Sequence, residues 1–186
     1  MVSKAEIDFY KQHIQDWNVV FDVGCQHDNI FDELKPGIEV HMFDPIGSAE
    51  LPDKIKGKSN IYYNEFALGN FTGTVGFHPG YGSIHHRKEL GSNYDHTETM
   101  VPIDTLFNYC DQKNIKSIDL LKIDTEGYDF EVIKGAKEWV LSGIKYIQFE
   151  DWSDEMFLQI IYYLGTMVKD TVLLKSKPIN YIIKLL

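Results

Sequence analysis

The sequence predicts an α/β chain built on a mostly parallel central sheet, with helices on both faces and a C-terminal antiparallel hairpin. Three observations carry this reading. Short apolar runs alternate with helical or loop segments along the chain. A strand–helix–strand unit occupies the second half, and two closing strand-like runs flank Lys177-Pro178.

The elements follow in order. Ile7, Tyr10, Ile14 and Trp17 recur at helical spacing, which predicts an amphipathic helix within residues 1–18 that packs on the core. Its polar face is not rich in Lys or Arg, so a membrane-surface role is disfavoured. Val19–Val23, Glu39–Phe43 and Asn60–Asn64 read as strands, each bounded by Gly, Pro, Asn or Asp. Gly73–His78, "GTVGFH", is an extra, antiparallel strand candidate. Asp119–Ile123 and Ile144–Glu150 are the next two strands. Between them Phe130, Val132, Ile133, Ala136, Trp139 and Val140 form an apolar stripe of helical period from Tyr128 to Leu141. Such a unit implies parallel strands joined by a right-handed crossover. A last helix, Glu155 to Gly165, leads to "TVLLK" and "NYIIKLL", the predicted edge hairpin. No repeat or linker interrupts the chain, so a single domain over residues 1–186 is expected.

Composition narrows the function classes. A 44% hydrophobic content with eleven Tyr, eleven Phe and three Trp supports a sizeable core. A net charge of −10 argues against nucleic acid or an anionic membrane as partner, because their phosphates would be repelled. Cys25 and Cys110 lie far apart and suggest neither a disulfide framework nor a zinc site. No apolar run is long enough to span a bilayer, and the N-terminus lacks the apolar core of a signal peptide. A reduced, cytoplasmic protein is the expectation. Pro79 to Met100 is polar, glycine-containing and histidine-rich, a candidate substrate loop or else a plain surface excursion.

The chemistry-bearing residues stand at strand ends. In an open parallel sheet, ligands bind beyond the carboxyl ends of the strands. Asp22 and Gly24 close the first strand, and Gly24 lets backbone approach a ligand with its amide donors free. Asp44 closes the next strand about 20 residues past Gly24, the offset at which a carboxylate meets ribose hydroxyls. Two acceptor oxygens suit a vicinal diol. After Gly24 come Cys25, Gln26, His27 and Asp28, with no glycine where a pyrophosphate would need close backbone. The pattern favours a ribose-bearing cofactor without phosphate. S-adenosylmethionine fits, its sulfonium and amino group suiting Asp22. The plainer roles are helix capping for Asp22 and turn formation before Pro45 for Asp44.

A second constellation is "DLLKIDTEGYDFEVIKGA", Asp119 to Ala136. Strand alternation places Lys122 and Asp124 on one face and Leu121 and Ile123 on the other. Asp124, Thr125, Glu126 and Gly127 then sit at the strand-to-helix turn, where Asp124 or Thr125 would serve as a helix cap. Glu150-Asp151 ends the following strand in the same row.

These segments, "VFDVG", "FDP", "NEFALGNFTGTVGFH", "VPIDTLF", "IDLLKIDTEGYDFEVIKGAKEWV" and "IQFE", resemble the FkbM family of S-adenosylmethionine-dependent methyltransferases from about Val19 to Glu150. The most telling run is Lys122 to Gly127, ahead of Lys134-Gly135-Ala136. The resemblance implies a Rossmann-like fold with a terminal antiparallel strand and O-methylation of hydroxyls, often on sugars or natural products. It implies cofactor contacts from Asp22, Gly24 and the adjoining Cys25 to the amino-acid part, and from Asp44 to the ribose. Asn64, Phe66 and Ala67 would lie near the adenine, within Asn64 to Leu68. The family more often continues Asp-x-Gly with Ala-Asn-x-Gly, where this chain has Cys25 to Asp28, and carries Glu where this chain has Asp44.

A hydroxyl acceptor is a poor nucleophile until a base takes its proton. Glu126 or Glu150 is the expected base, with Asp124 orienting cofactor or acceptor; His27, His85, His86 and His96 are the other candidates. No metal is expected, adjacent loop histidines being weak ligand evidence. The rival readings are a nucleotide-dependent oxidoreductase and a catalytically inactive binding module of the same fold.

Overall fold

The computed structural model describes residues 2–25, 30–47, 51–79, 82–84, 97–151, 155–176 and 179–185, with side chains at all but 52, 175 and 176. The main sheet has seven strands: β1 (Val19–Val23), β2 (Glu39–Phe43), β3 (Ile61–Asn64), β7 (Ile118–Ile123), β8 (Ile144–Asp151), β9 (Val168–Ser176) and β10 (Ile179–Leu185). Their spatial order is β3-β2-β1-β7-β8-β10-β9. The first five run parallel. β10 inserts antiparallel beside β8, and β9 pairs with it antiparallel at the edge. The expected hairpin is present, with β10, its second strand, against the parallel block.

Period-2 alternation divides the sheet into two apolar faces. Phe21, Val23, Phe43, Leu121, Ile123, Ile147 and Phe149 point to one side, where α4 (Leu106–Lys113), α5 (Asp129–Leu141) and α6 (Glu155–Leu164) cover them. Val20, Val40, Met42, Leu120 and Tyr146 point to the other, under α1 (Lys4–His13), α2 (Ile30–Leu34) and α3 (Leu51–Ile55). Helices thus sit on both faces. α1 begins with a capping box in which Ser3 Oγ accepts from Glu6 N–H and Glu6 Oε2 accepts from Ser3 N–H. Its Tyr10, and Ile14 and Trp17 just beyond it, are buried, which is how the N-terminal helix joins the core.

A second, three-stranded sheet was not legible in the sequence. It has the order β4-β6-β5, from β4 (Ala67–Gly69), β6 (Thr99–Thr105) and β5 (Gly73–Phe77). The extra strand read at Gly73–His78 therefore belongs here, antiparallel to β6, and not to the main sheet. Pro102 hid β6, since proline argues against a central strand. β4 pairs only with Ile103 to Thr105, so no ladder partner faces Pro102 on that side. α5 lies close against this sheet: a Cβ on Gly135 would stand 1.9 Å from the Gly69 carbonyl oxygen. Of the Pro79 to Met100 segment, Thr99 and Met100 open β6, while His85, His86 and His96 lie outside the described residues, as does His27.

Candidate active site

The five parallel strands share one carboxyl edge, and the chain reverses its direction of travel across the sheet between β1 and β7. That switch point is where open α/β sheets bind ligands. Here it holds a cleft enclosing about 390 Å³ of empty space, part of it open to solvent. Val23, Phe43, Ala67, Leu68, Phe77 and Tyr128 give it apolar walls, and Gly24, Asp44 and Thr125 its polar edge. It continues outward past Gly47, Pro79 and Asp124.

Gly24 has φ +80°, and a Cβ there would stand 2.0 Å from the Asp124 carbonyl oxygen. The glycine is thus required by the contact of two strand ends. Its amide is not free: Gly24 N–H donates to the Phe43 carbonyl at 2.8 Å, and Cys25 N–H reaches the same oxygen at 3.4 Å. The expectation of free donors at this turn is corrected for these two amides, which extend the β1–β2 ladder.

Asp22 lies beneath the cleft. It is 3% exposed, and Lys122 Nζ donates to its Oδ1 at 2.8 Å across adjacent strands. Burial works to lower the Lys122 pKa, but the Asp22 carboxylate, with Asp124 and Tyr10, raises it above the ordinary lysine value. Asp22 is therefore the ion-pair partner of Lys122. Asp44 performs the turn role foreseen for it: Oδ1 accepts from Ile46 and Gly47 N–H at 3.1 and 2.9 Å, with the residue on the cleft lining.

The remaining sequence candidates separate. Ala67 lines the cleft. Asn64 donates to the Met42 and Tyr62 carbonyls, and Phe66 packs edge-on against Phe43, so both support the floor from outside the described lining. Cys25 is buried with the α1-side core, its thiol pushed up by burial; Cys110 is likewise buried and free.

Asp124, Glu126 and Glu150 converge, with carboxylate oxygens all within 4.8 Å of one another. Carboxylates grouped this closely repel one another when ionised, and together they would admit a cation. Glu126 reaches it through a left-handed backbone, φ +57°, uncommon for a residue with a Cβ. Its carbonyl accepts from Ser83 Oγ at 3.1 Å, tying the His78–Ser83 turn to the β7–α5 turn. Burial, then the charges of Asp124 and Glu126, push Glu150 up to about 7 against a hydrogen bond from Asn180. Asp151 points away and accepts from Phe157 N–H at 2.8 Å in the first turn of α6. The walls Phe77, Ile84 and Tyr128 escaped sequence reasoning, because the second sheet and the β7–α5 turn bring them to the cleft.

Comparison with known proteins decides the family. Residues 22–170 match the Methyltransferase FkbM domain. The chain belongs to the FkbM methyltransferase family. It is 27% identical over 157 residues to the 2-O-methyltransferase NoeI of Sinorhizobium fredii (strain NBRC 101917 / NGR234), covering 74% of this chain and 64% of that relative's length. In fold it resembles a protein described as a ribosomal RNA methyltransferase from Plasmodium falciparum, at TM-score 0.51 and 14% identity, covering 98% of this chain and 96% of that one. The FkbM assignment agrees with the resemblance carried by Lys122 to Gly127, and no described helix is long and apolar enough to cross a membrane.

Proposed function

We propose that this FkbM protein is an S-adenosylmethionine-dependent O-methyltransferase acting on a hydroxyl of a sugar or other small metabolite. One observation carries the reading: an apolar cleft at the sheet's switch point is edged by Asp44 and Asp124 and adjoins a three-carboxylate cluster. The residues fit the cofactor. Phe43, Ala67, Leu68 and Phe77 offer apolar surface for the adenine, Asp44 a carboxylate for the ribose hydroxyls, and Asp124 a negative charge for the cationic methionine end. A dinucleotide fits less well, since of the described amides at this turn those of Gly24 and Cys25 are taken up by the Phe43 carbonyl. The nucleotide-dependent oxidoreductase is set aside on that ground and by the family.

When bound, S-adenosylmethionine supplies an electrophilic methyl group on a sulfonium. The chain's own work is to orient and deprotonate. Glu150 would take the proton of the acceptor hydroxyl, its raised pKa matching a base that works near neutrality. Asp124 and Glu126 hold that proton by their charge, and the cleft walls fix the line of approach.

NoeI is a 2-O-methyltransferase, which favours an O-linked acceptor over an amine. The test is a thermal-shift panel with S-adenosylmethionine, S-adenosylhomocysteine and NAD, followed by methyl uptake onto glycans and hydroxylated metabolites. Stabilisation by the first two and acceptor-dependent product support the reading. Binding without turnover on any acceptor indicates an inactive module, and no stabilisation by either sulfur compound overturns the cofactor assignment.

A further inference from the structure

We propose that Asp129 is the positioning residue that brings Glu150 and the Asp124–Glu126 turn together. The inference rests on the reading of Glu150 as the base. Its ground is the end of a ladder: the β7–β8 register stops at Lys122 with Gln148. Asp124 and Glu150 both lie beyond that pair, where the two strand tips are no longer stitched to each other. Asp129, the first residue of α5, spans the gap. Its side chain is fully buried. Oδ2 accepts from Thr125 Oγ1 at 2.7 Å, and Oδ1 accepts from Glu150 N–H at 3.3 Å. One carboxylate thus holds the turn after β7 and the tip of β8.

The cost of this arrangement argues that it serves geometry. A buried carboxylate is expensive unless its lone pairs are met, and burial pushes Asp129 up to about 6 despite the bond from Thr125. The helix start at α5 offsets part of that cost, since a negative charge is favoured there. The Asp129 carboxylate is directed to the two tips by its bonds from Thr125 and Glu150.

The test is Asp129→Asn, which keeps shape but turns one acceptor into a donor. Misplacing reacting groups by an ångström costs about 10²-fold, so kcat should fall by about that factor, with the acceptor KM within about three-fold of wild type and cofactor affinity lowered by less than kcat. Amide exchange should quicken in peptides covering 123–128 and 148–151 and stay unchanged in β1 and β2. A kcat within about two-fold of wild type, or lost affinity with kcat intact, overturns the proposal. Should Asp129→Asn fail to fold, Thr125→Val removes one arm of the clasp and should show the same local exchange. If wild-type protein methylates no acceptor, the functional reading falls by itself. The exchange measurement still decides the clasp: unchanged protection at both tips overturns it.

Discussion

Gly24 and Asp124 touch across the switch point of the sheet, so closely that a Cβ on the glycine would lie 2.0 Å from the Asp124 carbonyl oxygen. The contact joins residues a hundred positions apart and sets the spacing of the cleft's two acidic edges.

Gly24→Ala should therefore act twice. The left-handed φ of +80° strains any side chain, and the carbonyl has no room to yield. Destabilisation of about 2–4 kcal/mol is expected from strain and overpacking together, read from the urea midpoint at constant m. Cofactor affinity, read by calorimetry on the folded fraction, should fall with it.

Replacing Asp44 by Ala removes the proposed ribose acceptor together with the turn that Ile46 and Gly47 close on it. Losing a charged hydrogen-bond partner costs about 1.5–3 kcal/mol, so the dissociation constant for S-adenosylmethionine should rise at least ten-fold in calorimetry. Asp44→Asn keeps one turn acceptor and loses the charge, and should fall between. Unchanged affinity in both variants would remove the ribose assignment.

Glu150 carries the pH dependence. Its pKa is raised from 4.5 to about 7, and a base works only when deprotonated. Activity should thus be present above pH 7 and decline as pH falls through that value, one proton at a time. Glu150→Gln should lower kcat by about 10²–10⁴-fold and abolish this acidic limb, with cofactor binding retained. An unaltered profile in the variant would move the base to another residue.

The Lys122–Asp22 pair is a stability element beneath the site. Lys122→Met leaves a carboxylate buried without its ammonium, which costs about 3–5 kcal/mol. Pairing it with Asp22→Leu should recover much of that loss, because no charge is then stranded in the core. Urea denaturation of the two single variants and the double reads the coupling directly.

Local patterns were legible in the sequence alone. The bounds of β1 and β2 follow from "VVFDV" and "EVHMF", because an apolar run closed by a glycine or proline turn is a property of consecutive residues. α5 follows from its apolar stripe for the same reason. The row of acids at the carboxyl edge was legible too, since parallel strands place their last residues together. Which acid does what was decided by the tertiary structure. Asp22 turned inward because Lys122 sits opposite it in register, Asp44 took up the Ile46 and Gly47 amides, and Glu150 met Asp124 and Glu126 across the end of a ladder. A side chain's partner is set by what packing brings within a few ångströms, and these partners lie up to a hundred residues away, beyond any sequence period.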